Sequence, residues 1–270
     1  MKESNFIAGR WVEGTGSIKN INPSDTGDII SEYTSVTDDQ FEQAVSSAVI
    51  AQKEWGEVGI EKKSQILIKI GDELIQRSKE LGELLSREEG KPLAEGIGEV
   101  TRAGQQFQYY GSECLRLYGE KIPSTRPGFQ VEISREPLGV IGIISPWNFP
   151  IAIPAWKAAP AMMCGNAVIL KPASLTPASA IALTEIISKQ DIPSGLFNLV
   201  LGSGSNIGNK IASHPDIVAI TFTGSVEVGK KLYENSSPLL KKMQMEMGSK
   251  NPLVVMEDAN LNTAIACAAN

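Results

Sequence analysis

The chain has 270 residues, of which 42% are hydrophobic, enough to bury a sizeable core in one large domain or two smaller ones. Its 25 basic and 31 acidic residues give a net charge of −6, so we expect neither nucleic acid nor an anionic membrane surface as a partner. The N-terminus lacks an apolar signal core, and apolar runs such as 140–144 are too short to span a bilayer, so we expect a cytoplasmic location.

The first part of the chain changes from turn-rich to helical. Turn signals in residues 1–35, such as the N-P-S-D-T-G run from Asn22, predict short hairpins. Thr37 and Gln40 then form a capping-box pattern, and apolar residues recur at helical spacing after it. Residues 38–118 are therefore predicted to be mostly helical.

Strand patterns follow the helical part. Residues 119–136 alternate between apolar and polar side chains around a Pro-Gly turn, which predicts a half-buried hairpin. Thr176, as an N-cap, and Pro177, in the first turn, predict the start of one later helix. Short apolar runs separated by helix-like segments predict strands at 138–144, 167–170, 197–201, 218–222 and 253–256. Strands that alternate with helices favour an α/β fold, a parallel sheet covered on both faces.

Cysteine and histidine usage narrows the chemistry. Cys114, Cys164 and Cys267 lie far apart without a C-x-x-C pair, so we predict no disulfide framework and no metal site, and we interpret each as a buried small apolar residue. His214, the single histidine, precedes Pro215 at a predicted helix end and is interpreted as structural. Acid–base chemistry is then left to carboxylates, lysines or cysteines.

Polar residues follow two of the predicted strands at their carboxyl ends, where parallel sheets bind ligands. The S-P-W-N-F-P run after 138–144 contains Asn148, an amide donor suited to a developing oxyanion or, alternatively, to the turn backbone. The K-P-A-S run after 167–170 places Lys171 where a nucleotide ribose or phosphate would lie, with a solvated surface lysine as the alternative.

Two glycine-containing runs resemble phosphate-binding motifs without matching them. L-G-S-G-S-N-I-G from Leu201 has one residue too many before Gly208 for the dinucleotide fingerprint. F-T-G-S-V-E-V-G-K-K from Phe222 nearly matches a P-loop, but Lys231 stands where a magnesium-binding hydroxyl is needed. A Gly-Ser pair that opens a helix still presents backbone N–H groups to a pyrophosphate. The run therefore predicts a phosphate site without the hydrolase machinery.

The motifs P-W-N-F-P at Pro146, K-P-A-S at Lys171, F-T-G-S-x-x-x-G at Phe222 and M-E-M-G-S-K-N-P at Met245, in this order, resemble the aldehyde dehydrogenase superfamily. The resemblance extends over the whole chain, including its F-I-A-G-R-W start. One departure is Ser249, where the family usually has a second glycine. The resemblance implies a Rossmann-like parallel sheet with helices on both faces, NADP or NAD as cofactor, an aldehyde substrate, and a hairpin that joins subunits into a homo-oligomer.

The same resemblance implies roles for individual residues. Asn148 is expected to form the oxyanion hole with a backbone N–H, since an amide stabilises negative charge without losing a proton. Glu246 is expected to be the general base, and its neighbours Met245 and Met247 suggest an apolar setting that favours proton uptake. The implied cofactor-binding residues are Ser145, Pro146, Trp147, Lys171, Ser174, Gly202, Gly224, Ser225 and Met247.

Residue types within these motifs bear on specificity. NAD-preferring relatives often carry a glutamate at the position of Ser174, which repels a 2′-phosphate, so a serine beside Lys171 predicts that NADP is accepted. The run N-F-P-I-A-I-P-A-W-K most resembles the branch acting on 2-oxoglutaric semialdehyde (2,5-dioxopentanoate). Succinic semialdehyde dehydrogenases, the alternative, tend to have arginine in place of Trp156. Arg102 or Arg116 is a candidate partner for a distal carboxylate, with solvated arginines as the alternative.

The family's nucleophilic cysteine, which forms a thiohemiacetal with the aldehyde, is expected beyond residue 270, because Cys267 lies in a helix-like A-C-A-A run. We expect a cofactor-binding domain at 1–118 and 138–246, an oligomerisation hairpin at 119–137 and the start of a truncated catalytic domain at 247–270. Two functions remain open: a dehydrogenase of which this chain is a part, or an NAD(P)-binding fragment without turnover of its own.

Overall fold

The computed structural model describes residues 5–269. The chain begins with two antiparallel hairpins, β1 (Asn5–Ile7) with β2 (Arg10–Val12) and β3 (Thr15–Ile21) with β4 (Ile29–Ser35). The hairpins predicted from the turn signals are therefore confirmed within the described part. No helix in this part is both long and apolar enough to cross a membrane.

A helical layer follows the hairpins. It consists of α1 (Asp38–Glu57), α2 (Ile60–Gln76), α3 (Ser78–Glu89) and α4 (Leu93–Glu113), and a short 3₁₀ turn ends it. The predicted capping box is confirmed: the N–H of Gln40 donates to Thr37 Oγ1 (3.2 Å), and the N–H of Thr37 donates to Gln40 Oε1 (3.0 Å). Apolar residues at helical spacing bury one face of each helix, including Trp55 and Phe107.

The predicted hairpin is present but not half-buried. Strands β5 (Glu120–Pro123) and β6 (Gln130–Ile133) pair as expected, yet every residue in both strands is exposed. Phe129, just before β6, is 64% exposed. The expectation of half-burial is wrong because no element within residues 5–269 covers either face of this two-stranded arm.

The centre of the molecule is a seven-stranded sheet in the order β11-β10-β7-β8-β9-β1-β2. Its parallel strands are β7 (Val140–Ile144), β8 (Ala167–Lys171), β9 (Phe197–Leu199), β10 (Ile217–Gly224) and β11 (Lys242–Met247). The connecting helices are α5 (Ala152–Met163), α6 (Pro177–Ser188), α7 (Asn209–Ser213) and α8 (Val226–Ser236). The predicted Rossmann-like α/β fold is confirmed, with its topological switch point between β7 and β10.

The two faces of the sheet are covered by different helices. Right-handed crossovers place α5 and α6 on one face, and the reversal after β9 places α7 and α8 on the other. On the second face, Ile211 of α7 lies against Gly142 of β7, and Lys210 forms an ion pair with Asp38 of α1 (3.1 Å). Strands β7 and β8 are consequently buried along their full length.

Helix α6 begins where predicted, with Pro177 at its first turn, but Thr176 is not its side-chain cap. The Thr176 hydroxyl is buried and has no partner within the described chain. The N–H groups of Ala178 and Ser179 donate instead to Glu88 of α3, at 2.5 and 3.0 Å. A carboxylate from a distant helix is a stronger acceptor for these groups than a local hydroxyl.

The end of the described chain differs most from the sequence-based expectation. Residues 253–256 form no strand and are exposed, whereas β11 was not predicted, although its K-M-Q-M-E-M sequence alternates as a half-buried strand does. Helix α9 (Leu261–Ala269) has no buried residue. Cys114 is buried as expected, but Cys164 and Cys267 are exposed, so their interpretation as buried packing residues is wrong.

Candidate functional site

The carboxyl ends of the central strands meet in register. Ile144 of β7 is paired with Lys171 of β8 on one side and Phe222 of β10 on the other, and Thr223 is paired with Glu246 of β11. Parallel strands bring all their carboxyl ends to one edge of a sheet. The loops that follow β7, β8 and β10 therefore open at the same edge as Glu246.

The switch point between β7 and β10 contains an unsatisfied polar atom. Ser145, the first residue after β7, is only 4% exposed, and its Oγ has no hydrogen-bond partner among residues 5–269. Its N–H donates to the carbonyl of Lys171 (3.2 Å). A buried hydroxyl without a partner at a ligand crevice is suited to hydrogen-bond with a bound molecule.

The start of α8 forms the other wall of this crevice. Ser225 is its N-cap, and its Oγ accepts from the N–H of Val228 (3.3 Å). A Cβ at Gly224 would lie 2.5 Å from the ring of Phe222, so this turn excludes a side chain. In the first turn, Glu227 forms an exposed ion pair with Lys231 (2.8 Å). The geometry fits an anion such as a pyrophosphate, because first-turn N–H groups lack acceptors within the helix.

A second group of predicted residues lies beyond β8. Lys171 is only 4% exposed, its Nζ donates to the carbonyl of Pro172 (2.7 Å), and burial lowers its pKa to about 8. Ser174 Oγ donates to the carbonyl of Gly202 (3.0 Å), and the Tyr33 hydroxyl donates to the carbonyl of Ser174 (2.7 Å). These bonds join the loops after β8 and β9 around the lysine. The interpretation of Lys171 as a solvated surface lysine is excluded.

Asn148 lies on the loop between β7 and α5, beside Pro146 and the exposed Trp147. Its carbonyl accepts a hydrogen bond from Lys91 Nζ (3.0 Å). Its side-chain amide is exposed and has no hydrogen-bond partner in the described part of the chain. The amide is therefore available to a ligand, whereas Lys91 fixes the main chain of the residue.

Glu246 lies on β11, on the sheet face that α5 covers. Its Oε1 accepts from Gln244 Nε2 (2.8 Å), and it borders an open groove of about 630 Å³ that Trp156 and Thr223 also line. Met245 and Met247 point to the opposite face, towards Gly229 of α8, because adjacent side chains of a strand alternate. The expectation that these methionines surround the carboxylate is wrong, and Met247 lies on the α8 side.

The structure adds a lysine that was not singled out from the sequence. Lys157 of α5 lines the same groove, and its Nζ donates to Thr221 Oγ1 (2.7 Å) and Gln244 Oε1 (3.0 Å). Burial lowers the pKa of Lys157 to about 8, against the opposing effect of the Glu246 charge. Its position in an otherwise apolar helix is the sequence feature that could have identified it as a candidate. The groove thus holds a carboxylate and a lysine whose pKa is lowered by burial.

The remaining predicted residues divide into structural and available ones. His214 follows α7, and its Nε2 lies 3.1 Å from Glu42 Oε2, which fits the structural interpretation. Arg116 forms an ion pair with Glu113 (3.0 Å). Arg102 is exposed on α4 and forms no ion pair with any described residue, so it is the freer of the two guanidinium groups.

A doubly wound parallel sheet with polar loops gathered at its switch point defines an α/β domain of the dinucleotide-binding class. The model of the aldehyde dehydrogenase family matches residues 11–270, and the chain belongs to this family.

Curated relatives match nearly the whole chain. It is 38% identical to the 2,5-dioxopentanoate dehydrogenase of Saccharolobus solfataricus, covering 98% of this chain and 56% of the relative. It is 40% identical to the alpha-ketoglutaric semialdehyde dehydrogenase of Bacillus subtilis, covering 96% and 54%. It is 36% identical to the mitochondrial succinate-semialdehyde dehydrogenase of Arabidopsis thaliana, covering 98% and 50%. The chain spans about half the length of the curated relatives it matches.

Solved structures also match nearly the whole of this chain over about half of their own length. An NADP-dependent enzyme of E. coli superposes with a TM-score of 0.96 at 33% identity, covering 99% of this chain and 56% of that one. A betaine aldehyde dehydrogenase of Staphylococcus aureus, in complex with NAD+, superposes with a TM-score of 0.95 at 29% identity, covering 98% and 55%.

Proposed function

We propose that this chain is the cofactor-binding part of an NAD(P)-dependent aldehyde dehydrogenase that oxidises a semialdehyde such as 2,5-dioxopentanoate. The observation that carries the proposal is the strand register that gathers Ser145, Lys171 and Glu246 at one edge of the sheet. Two of the relatives reported above are dehydrogenases of this semialdehyde.

The proposed cofactor site extends along this edge. Gly224 and Ser225 would hold the pyrophosphate at the start of α8, with Ser145, Pro146 and Trp147 along the dinucleotide. Lys171 and Ser174 would hold the adenosine ribose, and Gly202 would lie along the dinucleotide. When bound, the nicotinamide ring supplies a hydride acceptor. A serine at 174 leaves room and no repulsive charge for a 2′-phosphate, so we propose that NADP is accepted as well as NAD.

The proposed catalytic roles of Asn148 and Glu246 rest on side chains that have few or no hydrogen-bond partners among residues 5–269 and can therefore contact a substrate. The free amide of Asn148 would stabilise the negative charge that develops on the aldehyde oxygen. Glu246, which accepts a hydrogen bond only from Gln244 within residues 5–269, would take a proton from the attacking water or from the nucleophile. The cysteine nucleophile is proposed to come from the part of the protein beyond residue 270. The proposed boundaries are 1–118 and 138–246 for cofactor binding, 119–137 for oligomerisation and 247–270 for the start of the catalytic domain.

Two further elements of the proposal concern partners. The exposed apolar side chains of the β5–β6 arm, including Phe129, would be covered in a homo-oligomer. Arg102 would pair with the distal carboxylate of the substrate. Trp156 stands where succinic semialdehyde dehydrogenases tend to have an arginine, and this residue type favours the 2,5-dioxopentanoate branch. The alternative is an NAD(P)-binding fragment without turnover of its own.

Substitution of the two catalytic candidates tests the proposal. In the protein extended by the catalytic part that its relatives have, Asn148→Ala should lower kcat roughly 100-fold to 1,000-fold. Glu246→Gln should lower kcat about 100-fold or more, because the amide cannot accept the proton. Steady-state oxidation of 2,5-dioxopentanoate with NADP measures both. Glu61→Gln, an exposed change on α2, is the matched control and should leave kcat unchanged. Full activity in Asn148→Ala and Glu246→Gln would refute the assigned roles.

A further inference from the structure

Lys91 lies in a tight connection between two helices that points its side chain inwards. Gly90, with a left-handed φ of 90°, is the C-cap of α3, and Pro92 is the N-cap of α4. No other residue separates the helices, so the position of Lys91 is fixed by both. Its side chain is only 10% exposed.

The ammonium group of Lys91 joins this connection to the loop after β7. Its Nζ donates to Glu99 Oε2 (2.7 Å) and to the carbonyl of Asn148 (3.0 Å), and it forms an ion pair with Glu89 (3.0 Å). It also lies 4.2 Å from the ring centroid of Phe149, the residue after Asn148. A lysine has three donors, and here each of the three polar neighbours is a charged group or a main-chain carbonyl.

Glu99 holds the other end of the same loop. Its side chain is 2% exposed, and its Oε1 accepts from the N–H groups of Ile151 and Ala152, both at 3.1 Å, at the start of α5. One carboxylate thus binds the lysine with one oxygen and the helix N-terminus with the other. The helix dipole and the lysine together balance the buried negative charge.

The surroundings of Lys91 favour its charged form. Burial lowers the pKa of Lys91, but its hydrogen bonds to Glu99 and Glu89 and the charges of these two carboxylates outweigh the burial and raise the pKa overall. Two carboxylates from α3 and α4 therefore keep the ammonium in place as a permanent donor.

The loop needs such an external anchor. Pro146 and Pro150 flank it and lack N–H groups, so the loop has few backbone hydrogen bonds of its own, such as the one from the N–H of Ile153 to the carbonyl of Phe149 (3.2 Å). The side-chain amide of Asn148 has no partner of its own within residues 5–269, so its direction depends on how the main chain is held. We propose that Lys91, fixed by Glu99 and Glu89, is a positioning residue that aims the Asn148 amide at the reacting oxygen.

This inference rests on the oxyanion role proposed for Asn148. Its first test is the rate of the protein that carries the catalytic part. Lys91→Met should lower kcat roughly tenfold to 100-fold and change KM less than about twofold, since a loosely aimed donor loses transition-state stabilisation and little binding. Glu99→Gln, which keeps an acceptor for Ile151 and Ala152, should act in the same direction with a smaller loss.

A double-substitution cycle separates positioning from a merely structural role. In the Asn148→Ala background, Lys91→Met should lower kcat by less than about twofold further, because the group that it positions is gone. An undiminished loss in that background would overturn the inference, as would an unchanged kcat in Lys91→Met. Lys62→Met, which removes an exposed lysine paired with Asp191, is the control and should not lower kcat.

Hydrogen exchange of the 270-residue chain tests the anchor independently of turnover. The amides of residues 147–149, 151 and 152 should exchange faster in Lys91→Met than in Lys62→Met, with equal exchange in β8 as evidence that the sheet is intact. If Asn148→Ala leaves kcat unchanged, the oxyanion role fails, and the exchange result alone decides whether Lys91 anchors the loop. Unaltered exchange in 147–152 would overturn the anchoring.

Discussion

Two apolar stretches of this chain, β8 and residues 253–256, have similar compositions and opposite environments. Leu170 of β8 is 0% exposed, because β7 and β9 flank the strand and helices cover both faces. Leu253 is 61% exposed, and its stretch pairs with no strand in the described chain. An apolar run is therefore buried only where neighbouring elements supply partners for its backbone and its side chains.

Matched leucine substitutions should show the largest effect. Leu170→Ala should lower the free energy of unfolding by about 2–5 kcal/mol, because it leaves a cavity between the sheet and its helices. Leu253→Ala should change it by less than about 0.5 kcal/mol, since the side chain is already largely in water. Chemical denaturation of the two variants measures both values. Equal losses would show that residues 253–256 are packed as tightly as β8 and would contradict the difference in burial between the two stretches.

The buried side of the comparison also predicts a pH effect. Lys171 has a folded-state pKa of about 8 against an ordinary value of 10.5, owing to burial. Between these values the unfolded chain binds more protons than the folded one, so the free energy of unfolding rises with pH, by up to about 1.4 kcal/mol per pH unit for this group. Lys157 and Lys241, whose pKa values burial also lowers to about 8, act in the same direction.

Lys171→Met should remove the Lys171 share of this slope. Denaturant unfolding between pH 8 and about 10 measures it, and the slope should be smaller than in the unsubstituted chain. Lys62→Met, which removes an exposed lysine, should keep the original slope. A Lys171→Met slope identical to that of the unsubstituted chain would mean that the lysine is hydrated in solution.

Much of the fold was predictable because its signals are local. Strands β7 to β10 are short apolar runs, each bounded by turn residues, and their alternation with helices is enough to predict a parallel sheet. The predicted site residues Lys171 and Gly224 follow directly from that, because strand ends share one edge. The family resemblance supplied the roles, which local pattern alone left open.

What escaped prediction depends on contacts between distant segments. Glu88 caps α6 from α3, and Lys91 holds the Asn148 carbonyl from the connection before α4; neither contact leaves a periodic signal. The alternation of Met245, Glu246 and Met247 is visible in the sequence. Unless β11 is recognised as a strand, however, the two methionines suggest an apolar setting around the carboxylate. The exposure of the β5–β6 arm was missed because alternation predicts one buried face without showing what covers it.

The proposed function depends on the claim that the carboxyl edge of the sheet binds a dinucleotide. Calorimetric titration of the 270-residue chain with NADP and with NAD tests it most directly. We expect saturable binding at one site, with NADP affinity reduced about tenfold or more in Ser174→Glu, because a carboxylate would repel the 2′-phosphate. A chain that is folded by circular dichroism and binds neither dinucleotide would contradict the claim, and a Ser174→Glu variant with unchanged NADP affinity would contradict the placement of the ribose.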